Sequence, residues 1–241
     1  MTDTLYKRPF SKLALFASFA LVAFLGACSE ETPAVQDQPA ASVEQQSETT
    51  SPAADPTQGD APELAIGDMI LGSADAPITV IEYASMTCSH CATFHENTYP
   101  RLKENYIDTG KIQFVFREFP LDAYALEASI MARCAGADRY FELVHEIFVR
   151  QEDWILARSP KSIRRSLQNI GEDMGVTEEM NDICQDNEAL QKRIAAKAAE
   201  GRTRYEVSGT PALVINGKLF EGTPNYNNVA RYLEEILAGD Q

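Results

Sequence analysis

Positive charge is scarce in this chain: 21 Lys and Arg stand against 36 Asp and Glu, a formal charge of −15 over 241 residues. Such a surface makes nucleic acid and anionic lipid poor partners, and no nucleic-acid binding is expected. There is no glycine-rich loop to cradle phosphates and no internal repeat. Long apolar runs are missing as well. The charge-free stretch Leu13 to Ala27 has fifteen residues, short of the roughly 20 that span a bilayer. Cysteine is rare, five in all, so each one calls for an account.

The charge-free stretch follows Lys7, Arg8 and Lys12 and closes on Leu25-Gly26-Ala27-Cys28, so residues 1–27 read as an export signal. The closing tetrapeptide resembles the lipobox of bacterial lipoproteins, in which the cysteine becomes the first mature residue and carries the lipid. Ordinary cleavage after Ala27, leaving Cys28 free, is the alternative. Ser29, where an aspartate would resemble an inner-membrane retention signal, favours an outer-membrane anchor facing the periplasm. From Ser29 to Glu63 there are eight acidic residues, no basic one and five prolines. Too little apolar side chain is present to offset ordering entropy, and residues 28–64 are expected to form a lipidated, disordered tether. Residues 65–241 suit one domain with a full core.

Within that domain, strand signals lie at both ends and helical periodicity in the middle. Ile66 to Leu71, Ile78 to Tyr83 and Ile112 to Phe116 read as strands. Between the last two runs a helix with Pro100 inside it, for which the sequence predicts a kink. Leu126, Ile130 and Cys134 mark one helix face, and Arg139 to Gln151 a second helix. Ser159-Pro160 should start a third that stops at Gly171. Thr177 should cap a short helix ending near Cys184, and Asp186 a longer one reaching about Tyr205. Ala212 to Ile215, Asn216-Gly217 and Lys218 to Phe220 spell a hairpin. A helix over Asn225 to Leu237 closes the chain.

Between the strand ending at Ala84 and the following helix lies Cys88-Ser89-His90-Cys91. Strand, C-x-x-C and helix in that order put two thiols at a helix N-terminus, where unpaired N–H groups and the helix dipole favour thiolate. Cys88 is then the nucleophile, His90 a donor to its sulfur, and Cys91, one turn further in, the resolving thiol. A stabilised reduced form makes the disulfide oxidising.

The string Glu82 to Cys91, the later Phe116-Arg117-Glu118-Phe119-Pro120-Leu121, and Gly209-Thr210-Pro211-Ala212 followed by Ile215-Asn216-Gly217 together resemble the DsbA family, in particular its alphaproteobacterial members. The resemblance covers about residues 65–241. It implies an α/β thioredoxin fold with a helical domain inserted at about 122–204. It also implies that Glu82 is a buried acid that helps move the proton of the buried cysteine, with a strand-end surface glutamate as the alternative. Pro211, after Thr210, would be a cis-proline facing the disulfide, against an ordinary strand-starting proline. Ser89, where the family most often has proline, and Thr210, where it most often has valine, leave oxidase and isomerase both open.

With Cys28 assigned to lipid and Cys88 and Cys91 to chemistry, Cys134 and Cys184 remain. In an oxidising envelope they are expected to form a structural disulfide, two buried free thiols being the alternative. His95 with the two thiols has the donor types of a zinc or copper site, but a fourth ligand is lacking and a packing histidine is expected. No metal or other cofactor is predicted. His145 and Trp154 read as structural, and Lys161, Arg164 and Arg165 as a solvated face.

The function read from the sequence is thiol-disulfide exchange on exported proteins with cysteine pairs. A membrane partner of DsbB or DsbD type would recycle the protein. A reductase or isomerase of the same fold is one alternative; a metal carrier or cytochrome-assembly chaperone is another.

Overall fold

The computed structural model describes residues 67–239. The export signal, the Cys28–Ser29 anchor and the 28–64 tether lie outside them. Among the described residues, β1 (Met69–Leu71), β2 (Ile78–Ala84), β3 (Ile112–Glu118), β4 (Ala212–Ile215) and β5 (Lys218–Leu219) form one sheet in the order β1-β3-β2-β4-β5. β2 and β3 are parallel and the other pairings antiparallel. The fold is α/β, a thioredoxin fold with helices inserted between its two halves.

β2 is central and has no polar alternation, because both of its faces are covered. Val80, Glu82 and Ala84 point to one face, into the main core with Phe114, Phe116 and the helices α1 (Ser89–Asn97), α3 (Ala123–Cys134) and α4 (Ala137–Val149). Ile81 and Tyr83 point to the other, into a smaller cluster with Val115, Val214 and Ala198 of α8 (Glu188–Tyr205). The same alternation on β3 sends Arg117 to Tyr83 and Glu200 on the α8 side. It sends Glu118 to Arg133 and Tyr140 on the α3–α4 side, at 2.6–2.8 Å.

Pro100 breaks the first helix instead of kinking it. α1 ends at Asn97, and Pro100 occupies the first turn of α2 (Tyr99–Leu102), where its missing N–H costs no hydrogen bond. A π-helical turn, Lys103–Ile107, follows. The helix expected over Arg139 to Gln151 is α4, which ends at Val149, and Arg150 parts it from a further short helix, α5 (Gln151–Ile155). Ser159 caps α6 (Pro160–Asp173) with a reciprocal Ser162 bond, but Gly171 does not stop it. It is an interior glycine against which Met131 packs, and a Cβ there would meet Met131 Sδ at 2.8 Å. Thr177 caps α7 (Glu178–Gln185), and Asn187, one residue after the expected Asp186, caps α8 through Leu190 N–H. Asn216 and Gly217 turn the β4–β5 hairpin with φ of 47° and 79°, and α9 (Tyr226–Gly239) closes the described chain.

Candidate active site

β2 delivers the chain to a turn, Ser85 to Cys88, that is held from three sides. Cys88 N–H donates to Ser85 O at 3.0 Å, and Phe119 N–H, at the end of β3, donates to Ala84 O at 2.7 Å. Thr87 Oγ1 donates to Asp122 Oδ2 at 2.6 Å, while Asp122 Oδ1 caps α3. From α5, Gln151 Nε2 reaches the carbonyls of Met86 at 2.8 Å and Cys88 at 3.1 Å. Cys88 is thereby fixed as the N-cap of α1, in extended geometry and with no side chain capping the helix in its place. Its sulfur is partly exposed; Cys91 is fully buried.

That placement separates the two thiols chemically. Cys88 is held down at about 5, first by the Cys91 S–H donating to its sulfur and further by the backbone N–H groups of Cys91 and His90, with partial burial opposing. The Thr210 hydroxyl also lowers it. That oxygen is buried and at bonding distance of no partner among the described residues, so it acts as a nearby dipole. Cys91 is pushed far up by burial, by serving as donor to Cys88 and by the Glu82 charge. His90 is exposed, and its backbone N–H is among the groups that lower the Cys88 thiol.

The fourth wall comes from the far end of the chain. The Thr210–Pro211 peptide is cis, and Thr210 O lies 3.3 Å from Cys88 Sγ as acceptor of its S–H. β4 runs from there along β2, with Tyr83 opposite Ala212 and Val80 opposite Ile215.

Glu82 is fully buried beneath this pair, not at the surface. Its Oε2 lies 3.0 Å from His95 Nε2, and its Oε1 has no hydrogen-bond partner. Cys91 and His95, four residues apart, share the buried face of α1. The His95 ring stacks on Phe148 with centroids 4.3 Å apart, so it packs as expected and in addition pairs with Glu82. Among the described residues no cluster of three or more His, Cys, Asp and Glu gathers to hold a metal. Sequence reasoning missed His95 as the partner of Glu82, and Gln151 altogether. For His95 the only available signal was its i+4 spacing from Cys91; Gln151 carried none.

The remaining cysteines meet in the helical region. Cys134, at the end of α3, and Cys184, in α7, have Cα atoms 6.0 Å apart and sulfurs in bonding contact. His145 is half-buried on α4, and Trp154 is fully buried with its indole N–H on Ile147 O. Arg164 of the basic cluster is an exposed partner of Glu127.

A family model described as thioredoxin matches residues 64–235. A Rickettsia bellii protein provisionally named a protein-disulfide oxidoreductase is 36% identical over 173 residues, 70% of this chain and 64% of that one. The chain thus spans less than two thirds of the length of that relative. The crystal structure of Wolbachia pipientis alpha-DsbA1 superposes with a TM-score of 0.65 at 28% identity, over 73% of this chain and 95% of that one. A protein-disulfide isomerase from Novosphingobium aromaticivorans gives 0.63 at 28% identity, over 72% and 99%. With its thiols at the head of α1 and a cis-proline opposite them, the chain belongs to the thioredoxin family, as a DsbA-like member.

Proposed function

We propose that this protein is a thiol-disulfide oxidoreductase of the bacterial cell envelope that introduces disulfides into exported proteins. One observation carries the reading: Cys88 is poised as a half-exposed thiolate directly above a neutral, buried Cys91. A substrate thiolate attacks Cys88 Sγ of the oxidised pair, the Cys88–Cys91 bond breaks, and Cys91 leaves and takes a proton. The second substrate thiolate then attacks its own sulfur in the mixed disulfide. Cys88 departs as the thiolate that the helix N-terminus stabilises, and two electrons have passed from substrate to protein. Glu82, buried below, serves the Cys91 proton. Pro211 and Thr210 face the sulfur and offer their backbone to an extended substrate segment.

Cys134 and Cys184 are the structural disulfide in this reading, consistent with an oxidising compartment. Cys28 carries the lipid, Ser29 directs the anchor to the outer membrane, and a membrane protein of DsbB type reoxidises the pair. Among the described residues no helix is long and apolar enough to cross a membrane. Thr210 before the cis-proline supports a second reading, a reductase or isomerase of the same fold fed by a DsbD-type donor.

The reduction potential of the Cys88/Cys91 pair in the full chain, equilibrated against glutathione, separates the two. A value of about −120 mV supports the disulfide donor, and one of about −270 mV overturns that direction and makes the protein a reductant.

A further inference from the structure

Three buried polar atoms under the dithiol have no hydrogen-bond partner: Glu82 Oε1, His95 Nδ1 and His145 Nδ1. A buried orphan of this kind forfeits its hydration without a replacement bond, and each asks for a reason. Here they fall along one line. Glu82 and His95 are joined at 3.0 Å; the His95 and His145 rings are 6.5 Å apart between centroids, a separation of the size a single water spans. His95 is 1% exposed, whereas His145 is half-buried, so the line runs from the core outward. An imidazole has two nitrogens and passes a proton by receiving it at one and releasing it at the other. His95 holds Glu82 with Nε2 and leaves Nδ1 open.

We propose that His95 and His145 connect Glu82 to solvent as a proton relay for Cys91. The inference rests on the oxidoreductase reading above and on Glu82 as the group that serves Cys91. When the Cys88–Cys91 bond breaks, its electron pair goes to Cys91 Sγ. Glu82 gives that sulfur a proton as it receives one from His95 Nε2, and His95 is refilled at Nδ1 through His145. The reverse transfer frees Cys91 when it attacks a mixed disulfide at Cys88.

The other titratable groups facing this line do not compete. Tyr99, on α2, has its ring centroid 4.9 Å from that of His95, and Tyr140, on α4, feels the Glu82 charge. Burial holds both phenols protonated far above the working range. Beyond Tyr140 lies Glu118, paired with Arg133. His145 itself is lowered by burial and by the charge of His95, and raised by Glu146, so the two rings sense each other. Phe94, Phe116 and Phe148 make up the apolar remainder around His95.

The test is the rate at which glutathione opens the Cys88–Cys91 disulfide of the full chain, followed between about pH 5 and about pH 9 with thiolate ionisation divided out. His95→Gln and His145→Phe should each lower that rate about tenfold or more and flatten its pH profile, within the usual range for proton transfer. A wild-type profile in either histidine variant overturns the relay. Glu82→Gln separates the layers. If it slows opening while a histidine variant does not, only the relay fails; if it too leaves the profile unchanged, the role of the buried acid falls with it. Should His95→Gln fail to fold, ring NMR on the wild-type protein decides. The His145 titration should move between the oxidised and reduced forms, and an identical titration in both forms overturns the relay.

Discussion

The side-chain amide of Gln151 donates to the carbonyl oxygen of Cys88 at 3.1 Å, and the same nitrogen reaches Met86 O at 2.8 Å. A residue at the head of a short helix in the inserted region therefore holds the turn from which the reactive thiol projects. Gln151→Leu removes the donor from a buried place and should destabilise the protein by about 1–3 kcal/mol. The melting temperature should fall by about 2–4 °C for each of those. An unchanged melt would show that the turn is held without α5.

The Cys88 thiol, lowered to about 5, predicts thiolate absorbance and iodoacetamide reactivity with a midpoint near that pH. The sign of the stability change follows. An acid whose folded value lies below its unfolded one stabilises the fold fully above the unfolded value, about 9 for a thiol, and loses that contribution as pH falls through about 5. The reduced protein should gain stability relative to the oxidised one between these limits. Higher still the gain reverses, because Cys91 ionises in the unfolded chain and stays protonated in the fold. Denaturant midpoints of both redox forms across the range check both directions.

Gly201 lies inside α8 against the Tyr83 ring, and a Cβ there would meet Cε1 at 2.7 Å and Cδ1 at 3.0 Å. Alanine gains about 1 kcal/mol of helix propensity, but a rigid, fully buried ring cannot step aside, and overpacking costs about 1–3 kcal/mol. Gly201→Ala should therefore lower stability in urea. Gly171→Ala should cost less, because its obstacle is the flexible end of Met131.

Arg133 binds Glu118 through Nε and a terminal nitrogen, both side chains nearly inaccessible, with Tyr140 on the same carboxylate. Arg133→Met leaves that carboxylate buried without its cation. A loss of about 3–5 kcal/mol is expected in equilibrium unfolding.

Cys134→Ser with Cys184→Ser opens the link between α3 and α7, which should cost about 2–4 kcal/mol. In a Cys88→Ser, Cys91→Ser background, alkylation before and after reduction counts the remaining thiols. Labelling without reductant would mean that the bond does not form.

Much of the fold was legible because its signals are local. The apolar runs of β2 and β3, the Ser159-Pro160 and Thr177 caps and the Asn216-Gly217 turn each act within a few residues, and the structure places elements where they point. Gly171 and Pro100 misled for one shared reason. Each residue fits two local settings, and the choice between them depends on Met131 in one case and on where a new helix begins in the other. The thiols and Pro211 were readable from motif and order. The pairing of His95 with Glu82 and the reach of Gln151 to Cys88 were not, because they are contacts across elements 13 and 63 residues apart.

The pairing of β4 with β2 decides when the dithiol becomes itself. Thr210 meets Cys88 across 122 residues, and at the other end of the strand Asn216 Oδ1 accepts from Thr79 N–H across 137. Contacts so distant in sequence form only after a large loop-closure entropy has been met. A nascent chain lacking its last strands would carry Cys88 and Cys91 already at a helix start, yet without the wall that Thr210 supplies. Its Cys88 would lack one of the groups that lower it, and the chain acquires its full reactivity only when its C-terminal segment arrives.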